Sequence, residues 1–210
     1  MKDYIDSLNW RYATKKYDPD RKVSNEDIEM LKEAVRLSVS SMGLQPYRVL
    51  IIENPEMKAK LRPAANNQAG ITDASHLFVF AAETNVGEGH IGTYIENISK
   101  VRETPKDTLK PFENMMNAYM KSQSEEAKSI WVAKQSYIAL SSLINAAALL
   151  KVDATPMEGF NTAAFDEILG LAELGLTTVV IATVGYRHSE DPFQHYKKVR
   201  KPHEELFITI

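Results

Sequence analysis

Apolar residues along this chain follow two rhythms, and the alternation between them predicts the architecture. Behind Ser24-Asn25-Glu26-Asp27, a capping box with Asp in the usual Glu position, Ile28, Leu31, Val35 and Val39 recur at near-helical spacing. That spacing predicts an amphipathic helix of about 15 residues. Tyr47 to Ile52, Leu77 to Ala82 and Thr177 to Val184 are short, nearly unbroken β-prone runs, the pattern of strands covered on both faces. A fourth such run, Glu205 to Ile210, ends the chain. An exposed apolar edge invites aggregation, so this strand is expected to pair with its own sheet or with a partner's.

Helices fill the intervals. Asp3 to Trp10 reads as a short helix, and Asn54-Pro55 caps and opens another with Pro in its first position. Ser124 begins a helix that runs to Leu150 and is apolar nearly all round from Ile130 onward, which predicts a buried central helix. Gln135 and Ser142 share one face of it as polar exceptions. A further helix, capped by Asn161 or Thr162, is expected to end at Gly175. Ser38 to Pro46, Asn66 to Gly70 and Pro156 to Phe160 read as turns. From Glu83 to Lys128, glycines, charges, Pro105, Pro111 and scattered methionines predict loosely packed helices. Four strands separated by long helical stretches make an α+β (α/β-like) domain whose helices cover the sheet, and with no linker in sight we read 1–210 as one domain.

Composition narrows the function classes. The 210 residues carry a formal net charge of −3, so no global field draws the chain to nucleic acid or a membrane surface, and any basic patch must be local. The absence of cysteine removes disulfides, iron–sulfur ligation and thiol catalysis together. Acids stand at Asp3 and Asp6 where a signal peptide has its apolar core, and the longest apolar tract falls short of a membrane span. The expectation is a soluble cytoplasmic protein.

Several motifs mislead. Gly87-Glu88-Gly89-His90-Ile91-Gly92 matches the dinucleotide fingerprint by letter, but no second parallel strand ending in an acid follows it, and the stretch reads as a flexible loop. Ser75-His76 lies at a strand entrance without a nucleophile elbow, and sequence neighbours rarely face each other. No two histidines have metal-ligand spacing, so no metal is expected. The remaining signal is basic. In an extended segment Arg11, Ala13 and Lys15 share one face, and near the other terminus Lys198 and Arg200 do the same. Two basic faces at opposite ends of one chain point either to a single phosphate site or to ordinary solvated charges.

Taken in order, seven stretches have a joint meaning: Arg11 to Lys15, Ser40-Ser41 with Gln45-Pro46, Asp73 to His76, Trp131 to Gln135, Pro156 to Phe160, Val184 to Arg187 and Lys198 to Arg200. This order closely resembles the FMN-dependent nitroreductase family, in its oxygen-insensitive NAD(P)H branch. The resemblance implies a mostly antiparallel central sheet flanked by helices, with the C-terminal strand exchanged across a homodimer. It implies bound FMN, and NADH or NADPH as co-substrate, in ping-pong reduction of nitroaromatics or quinones. A reductase with a narrower enone or pteridine substrate, or a flavin-binding protein without turnover, remains an alternative.

The same resemblance assigns residues. Arg11, with Tyr12 and Ala13 beside it, and Lys198 and Arg200 match the phosphate site. Lys15 and Asn67 match flavin-contacting positions. Pro156, Met157, Glu158 and Gly159 match a turn whose N–H groups face the flavin's central ring, and Gln135 matches a further flavin-site position. Ser40, Ser41, Gly43 and Pro46 match the stretch brought by the second subunit. No side chain is expected to be catalytic, since the flavin carries the chemistry, tuned by Lys15 and the Glu158 backbone. Ala13, Gly43 and Gly70 depart from the pattern, standing where relatives often have Ser, Asn and a second Lys. A helical excursion over about 88–121, with Phe112, Met115, Met116, Tyr119 and Met120, is the candidate substrate lid.

Overall fold

The computed structural model describes residues 1–210. Nine α-helices surround one sheet: α1 Lys2–Trp10, α2 Asn25–Arg36, α3 Pro55–Ala64, α4 Gly70–Asp73, α5 Glu88–Arg102, α6 Lys106–Ser122, α7 Glu125–Leu149, α8 Thr162–Leu169 and α9 His203–Leu206. The strands are β1 Tyr47–Ile52, β2 His76–Glu83, β3 Asp153–Met157 and β4 Leu176–Gly185, in the order β1-β2-β4-β3 with every pair antiparallel.

The strand runs lack polar alternation because β2 and β4 lie in the middle of the sheet and are covered on both faces. Phe78, Phe80, Val180, Ala182 and Val184 pack with Leu31 and Val35 of α2 and Ala139, Leu140 and Leu143 of α7. Leu77, Val79 and Ile181 face the other way, against Leu61 of α3 and Phe165 of α8. Each fully buried large side chain contributes about 1.5–3 kcal/mol of transfer free energy. Local signals set the helix starts: the side-chain oxygens of Ser24, Asn54, Ser124 and Asn161 accept from Asp27, Met57, Ala127 and Ala164 N–H respectively.

Four expectations change. The strand count holds, but the fourth strand is β3 rather than the chain end. Pro156 and Met157, read as the start of a turn, close that strand; it was masked by its short length and by Asp153 and Pro156 within it. Residues 205–210 form no strand: α9 begins after Pro202, residues 207–210 have no regular structure, Ile208 and Ile210 are fully exposed, and the chain end pairs with neither free edge of the sheet. Gly87-to-Gly92 is not a loop but the start of α5, stabilised by burial of Ile91, Ile95 and Ile98 against Met116 and Met120 of α6. Gly170, in the left-handed conformation, ends α8, and Gly175 ends the short 3-10 turn after it.

Candidate active site

The segment after α1 runs beside the end of β4 and exchanges backbone hydrogen bonds with it: Asp18 N–H donates to Tyr186 O, and His188 N–H donates to Lys16 O. Two buried carboxylates hold it there. Asp191 accepts the Tyr12 hydroxyl (3.0 Å) and the N–H groups of Lys15 (2.8 Å), Lys16 (3.1 Å) and Phe193 (3.0 Å). Burial alone would raise this carboxyl, but the four donors outweigh burial and hold it below the usual range. Asp153 accepts Thr14 Oγ1 and a fork of bonds from Arg187. The Arg187 guanidinium lies 4.1 Å from the Trp10 ring centre and 4.5 Å from that of Tyr12, so it joins α1, the basic segment and the sheet.

Held this way, the segment borders a cleft of about 320 Å³ whose lining includes Arg11, Tyr12, Ala13, Lys15, Lys197, Lys198 and Arg200 and no acid. Both basic faces read from the sequence therefore meet in one place. Their cations form no ion pair. Lys198 Nζ donates to Arg11 O, and the buried Arg11 Nε has no partner at all. Burial first, and then Arg200, lowers the Arg11 pKa; burial, Arg11 and Arg200 lower that of Lys198. A cluster so arranged is stabilised by a multiply charged anion.

A second group lies at the end of β3. Pro156, Met157 and Glu158 line an apolar cleft of about 440 Å³ together with Tyr137, Leu140, Ser141 and Ile144 of α7. The Tyr137 hydroxyl donates to Glu158 Oε1, and burial followed by this carboxylate pushes the phenol up to about 12. The carbonyl of Gly159 accepts from both Asn66 Nδ2 and Gln68 Nε2 at 2.9 Å, whereas the N–H groups of Glu158 and Gly159 donate to no group of the chain. Asn67, between the two amides, makes no side-chain hydrogen bond. Gly70, at the start of α4, is buried; a Cβ there would lie 3.5 Å from the Tyr17 ring and 3.6 Å from Met157.

The third group is a strained loop. Met42, Gly43 and Gln45 all have positive φ. Gln135 Oε1 accepts Ser41 N–H at 2.8 Å, Ser40 Oγ accepts Gln45 N–H, and Pro46 O accepts Glu83 N–H. Gly43 has no room for a side chain, since a Cβ would fall 2.2 Å from the Tyr94 hydroxyl of α5. Within one chain no hydrogen bond links Ser40, Ser41, Gly43, Pro46 or Gln135 to the basic cleft. Of the lid candidates, Met116 and Met120 are core residues, and Met115 is exposed.

Sequence reasoning missed Asp191, Asp153, Tyr137 and Asn66, whose bonds to Tyr12, Thr14, Glu158 and Gly159 span 21 to 179 positions of the chain. Ser75 and His76 do touch although they are sequence neighbours, with Oγ and Nδ1 2.9 Å apart, but both are buried and Ser75 Oγ also accepts Val23 N–H, a structural use in keeping with the sequence reading that they form no hydrolytic pair.

An antiparallel four-stranded sheet wrapped by helices, with a cationic cleft at one sheet end, defines a class that the comparisons identify. Residues 8–186 match the model of the Nitroreductase family, and the chain belongs to that family. It is 35% identical over 214 residues to a Staphylococcus haemolyticus protein provisionally described as an NAD(P)H nitroreductase, with 98% of this chain and 96% of that protein covered. Its fold is shared by a Bacillus subtilis protein, ydfN, provisionally described as a nitroreductase, with TM-score 0.90, 20% identity and complete coverage of both chains. It is also shared by an Exiguobacterium sibiricum protein, likewise provisionally described as a nitroreductase and solved in complex with FMN, with TM-score 0.85, 19% identity and coverage of 99% and 97%.

Proposed function

We propose that the chain is an FMN-dependent oxidoreductase that uses NADH or NADPH to reduce nitroaromatics or quinones, working as a homodimer. The observation that carries this reading is the unbalanced charge of the basic cleft, where burial and Arg200 lower the Arg11 pKa, burial, Arg11 and Arg200 lower that of Lys198, and Arg11 Nε has no acceptor. A terminal phosphate dianion would relieve that repulsion with charge-assisted hydrogen bonds. The unpaired N–H groups of Glu158 and Gly159 would suit the acceptor atoms of a flat heteroaromatic ring.

When bound, FMN would supply the hydride-transfer chemistry that links nicotinamide and acceptor in two successive half-reactions at one place, a ping-pong scheme. The chain binds, orients and shields. Arg11, Lys198 and Arg200 would hold the phosphate, with Tyr12 and Ala13 shaping the wall beside it. Lys15, exposed at the same cleft, would place positive charge near the ring, and Asn67 has an uncommitted amide for it. Pro156, Met157, Glu158 and Gly159 would lie along the ring face. Ser40, Ser41, Gly43, Pro46 and Gln135 would complete the site from the partner subunit. The dimer is supported by the exposed Ile130, Tyr137, Ile138 and Leu149 on α7 and by the exposed apolar chain end, Leu206 to Ile210, which would be covered in an exchanged arrangement. No helix is long and apolar enough to cross a membrane, in keeping with a cytoplasmic location.

The visible absorbance spectrum of the purified protein tests this reading. A flavin spectrum that bleaches on anaerobic NADPH and returns on adding a nitroaromatic or quinone is the expected result. A protein that stays colourless when FMN is supplied would sink it.

A further inference from the structure

We propose that Asn66 and Gln68 are positioning residues for the flavin ring: their two side-chain amides clamp the carbonyl of Gly159 and so aim the N–H groups of Glu158 and Gly159 outward. The proposal rests on the flavin reading above and deepens it.

A carbonyl oxygen has two lone pairs, and that of Gly159 receives one amide on each, at 2.9 Å from Asn66 Nδ2 and 2.9 Å from Gln68 Nε2. The two amides reach it from one sharp turn. Asn66 and Asn67 sit consecutively in the left-handed region, with φ of 53° and 55°, which Asn tolerates better than most residues. The Gln68 amide also donates to Ala65 O at 3.1 Å, so it is fixed at its own end. Asn161 N–H donates to Ala64 O at 2.7 Å, tying the far side of the Gly159 turn to the same place.

Inside the turn, Phe160 N–H donates to Glu158 O at 2.9 Å, and Tyr137 holds the Glu158 carboxylate. That inner bond polarises the Glu158–Gly159 peptide, whose N–H belongs to Gly159. The turn is thus held at Glu158 Oε1, Glu158 O and Gly159 O, while the two N–H groups stay uncommitted. Donors fixed before a ligand arrives need no reorganisation when it binds. A neutral N–H donor aimed at a ring nitrogen favours the oxidised ring, because reduction puts hydrogen on the central-ring nitrogen and removes its acceptor lone pair.

The test compares the parent with the Asn66→Gly/Gln68→Met double variant and with each single variant. Glycine keeps the left-handed backbone without the amide, and methionine keeps the shape of Gln68 without its donors. The measurements are FMN and riboflavin dissociation constants, the flavin midpoint potential and the melting temperature of the flavin-free protein.

We expect FMN and riboflavin affinities to fall by a common factor, about threefold for a single variant and about tenfold for the double. The oxidised form should lose more affinity than the reduced form. A tenfold change in that ratio raises the midpoint potential by about 30 mV for a two-electron couple. Unchanged riboflavin affinity, or equal losses in both redox states, would overturn the proposal. If the double variant melts early, the Gln68→Met single variant decides by the same criteria. A parent that binds no flavin would fail before any variant is compared, and that failure belongs to the flavin reading itself.

Discussion

Two polar cavities of nearly equal size lie at different ends of the sheet, and they treat lysine in opposite ways. The first, about 340 Å³, is lined by the loop after β2 and by α6 and α7; its Lys121 pairs with Glu88 and its Lys128 with Glu125, each at 2.6 Å. The second is the basic cleft of about 320 Å³, where Arg11, Lys15, Lys197, Lys198 and Arg200 have no acid among them and form no ion pair. Volume and number of cations do not make an anion site. What distinguishes the cleft is that no acid compensates its positive charges and that two of them, Arg11 and Lys198, are partly buried, which costs the ligand-free fold stability and gives a dianion something to relieve.

Replacing Arg11 tests the difference most severely. Arg11→Ala should weaken FMN on the order of 100-fold, the loss of charge-assisted bonds at a partly desolvated site, while riboflavin affinity stays the same. Equal losses for FMN and riboflavin in a titration would show that the cleft is not where the phosphate sits. Gly159→Ala is the next largest. A Cβ there meets only Asn66 Nδ2 at 3.5 Å and Gln68 Nε2 at 3.8 Å, ordinary contact distances, so the melting temperature of the flavin-free protein should hold. Flavin affinity should still drop about tenfold if a ring lies against this turn, as a displaced contact of 1–2 kcal/mol would produce.

Titration gives a smaller effect with a defined sign. Lys198 is held below its ordinary 10.5 by burial and by Arg11 and Arg200. Between the lowered value and 10.5 the unfolded chain binds more protons at this residue than the folded one. The contribution of Lys198 to the stability of the flavin-free protein therefore rises with pH across that window, while FMN affinity falls across it. Denaturant melts and flavin titrations over the alkaline range should move in opposite directions, and Lys198→Met should flatten both trends. Smallest of all, Lys128→Met in the paired cavity should leave FMN affinity and its salt dependence as they are in the parent. A marked loss there would remove the contrast between the two cavities.

Much of the fold could be read in advance where the signal was local. Ser24, Asn54 and Asn161 cap the helices they were expected to cap, and the unbroken apolar runs of β2 and β4 reflect burial on both faces. Errors arose where a tertiary partner outweighed local character. The start of α5 contains two glycines and follows a third as its cap, yet is helical because its isoleucines have α6 to pack on, and β3 is short and polar yet a strand because β4 supplies its ladder. The apolar chain end is the converse case, a strand-like sequence that pairs with neither free sheet edge of its own chain.

For the site, the sequence by itself determined which residue types were present and that two basic faces existed, because side-chain alternation and charge are properties of short stretches. Only the tertiary structure decided that the faces meet, that Asp191 and Asp153 hold one of them in place, and that no acid enters the cleft between them. The same holds for the Gly159 clamp, where Asn66 and Gln68 lie 93 and 91 positions from the carbonyl they share. Pairing across such separations is set by where the sheet and helices place the chain, and no short-range pattern encodes it.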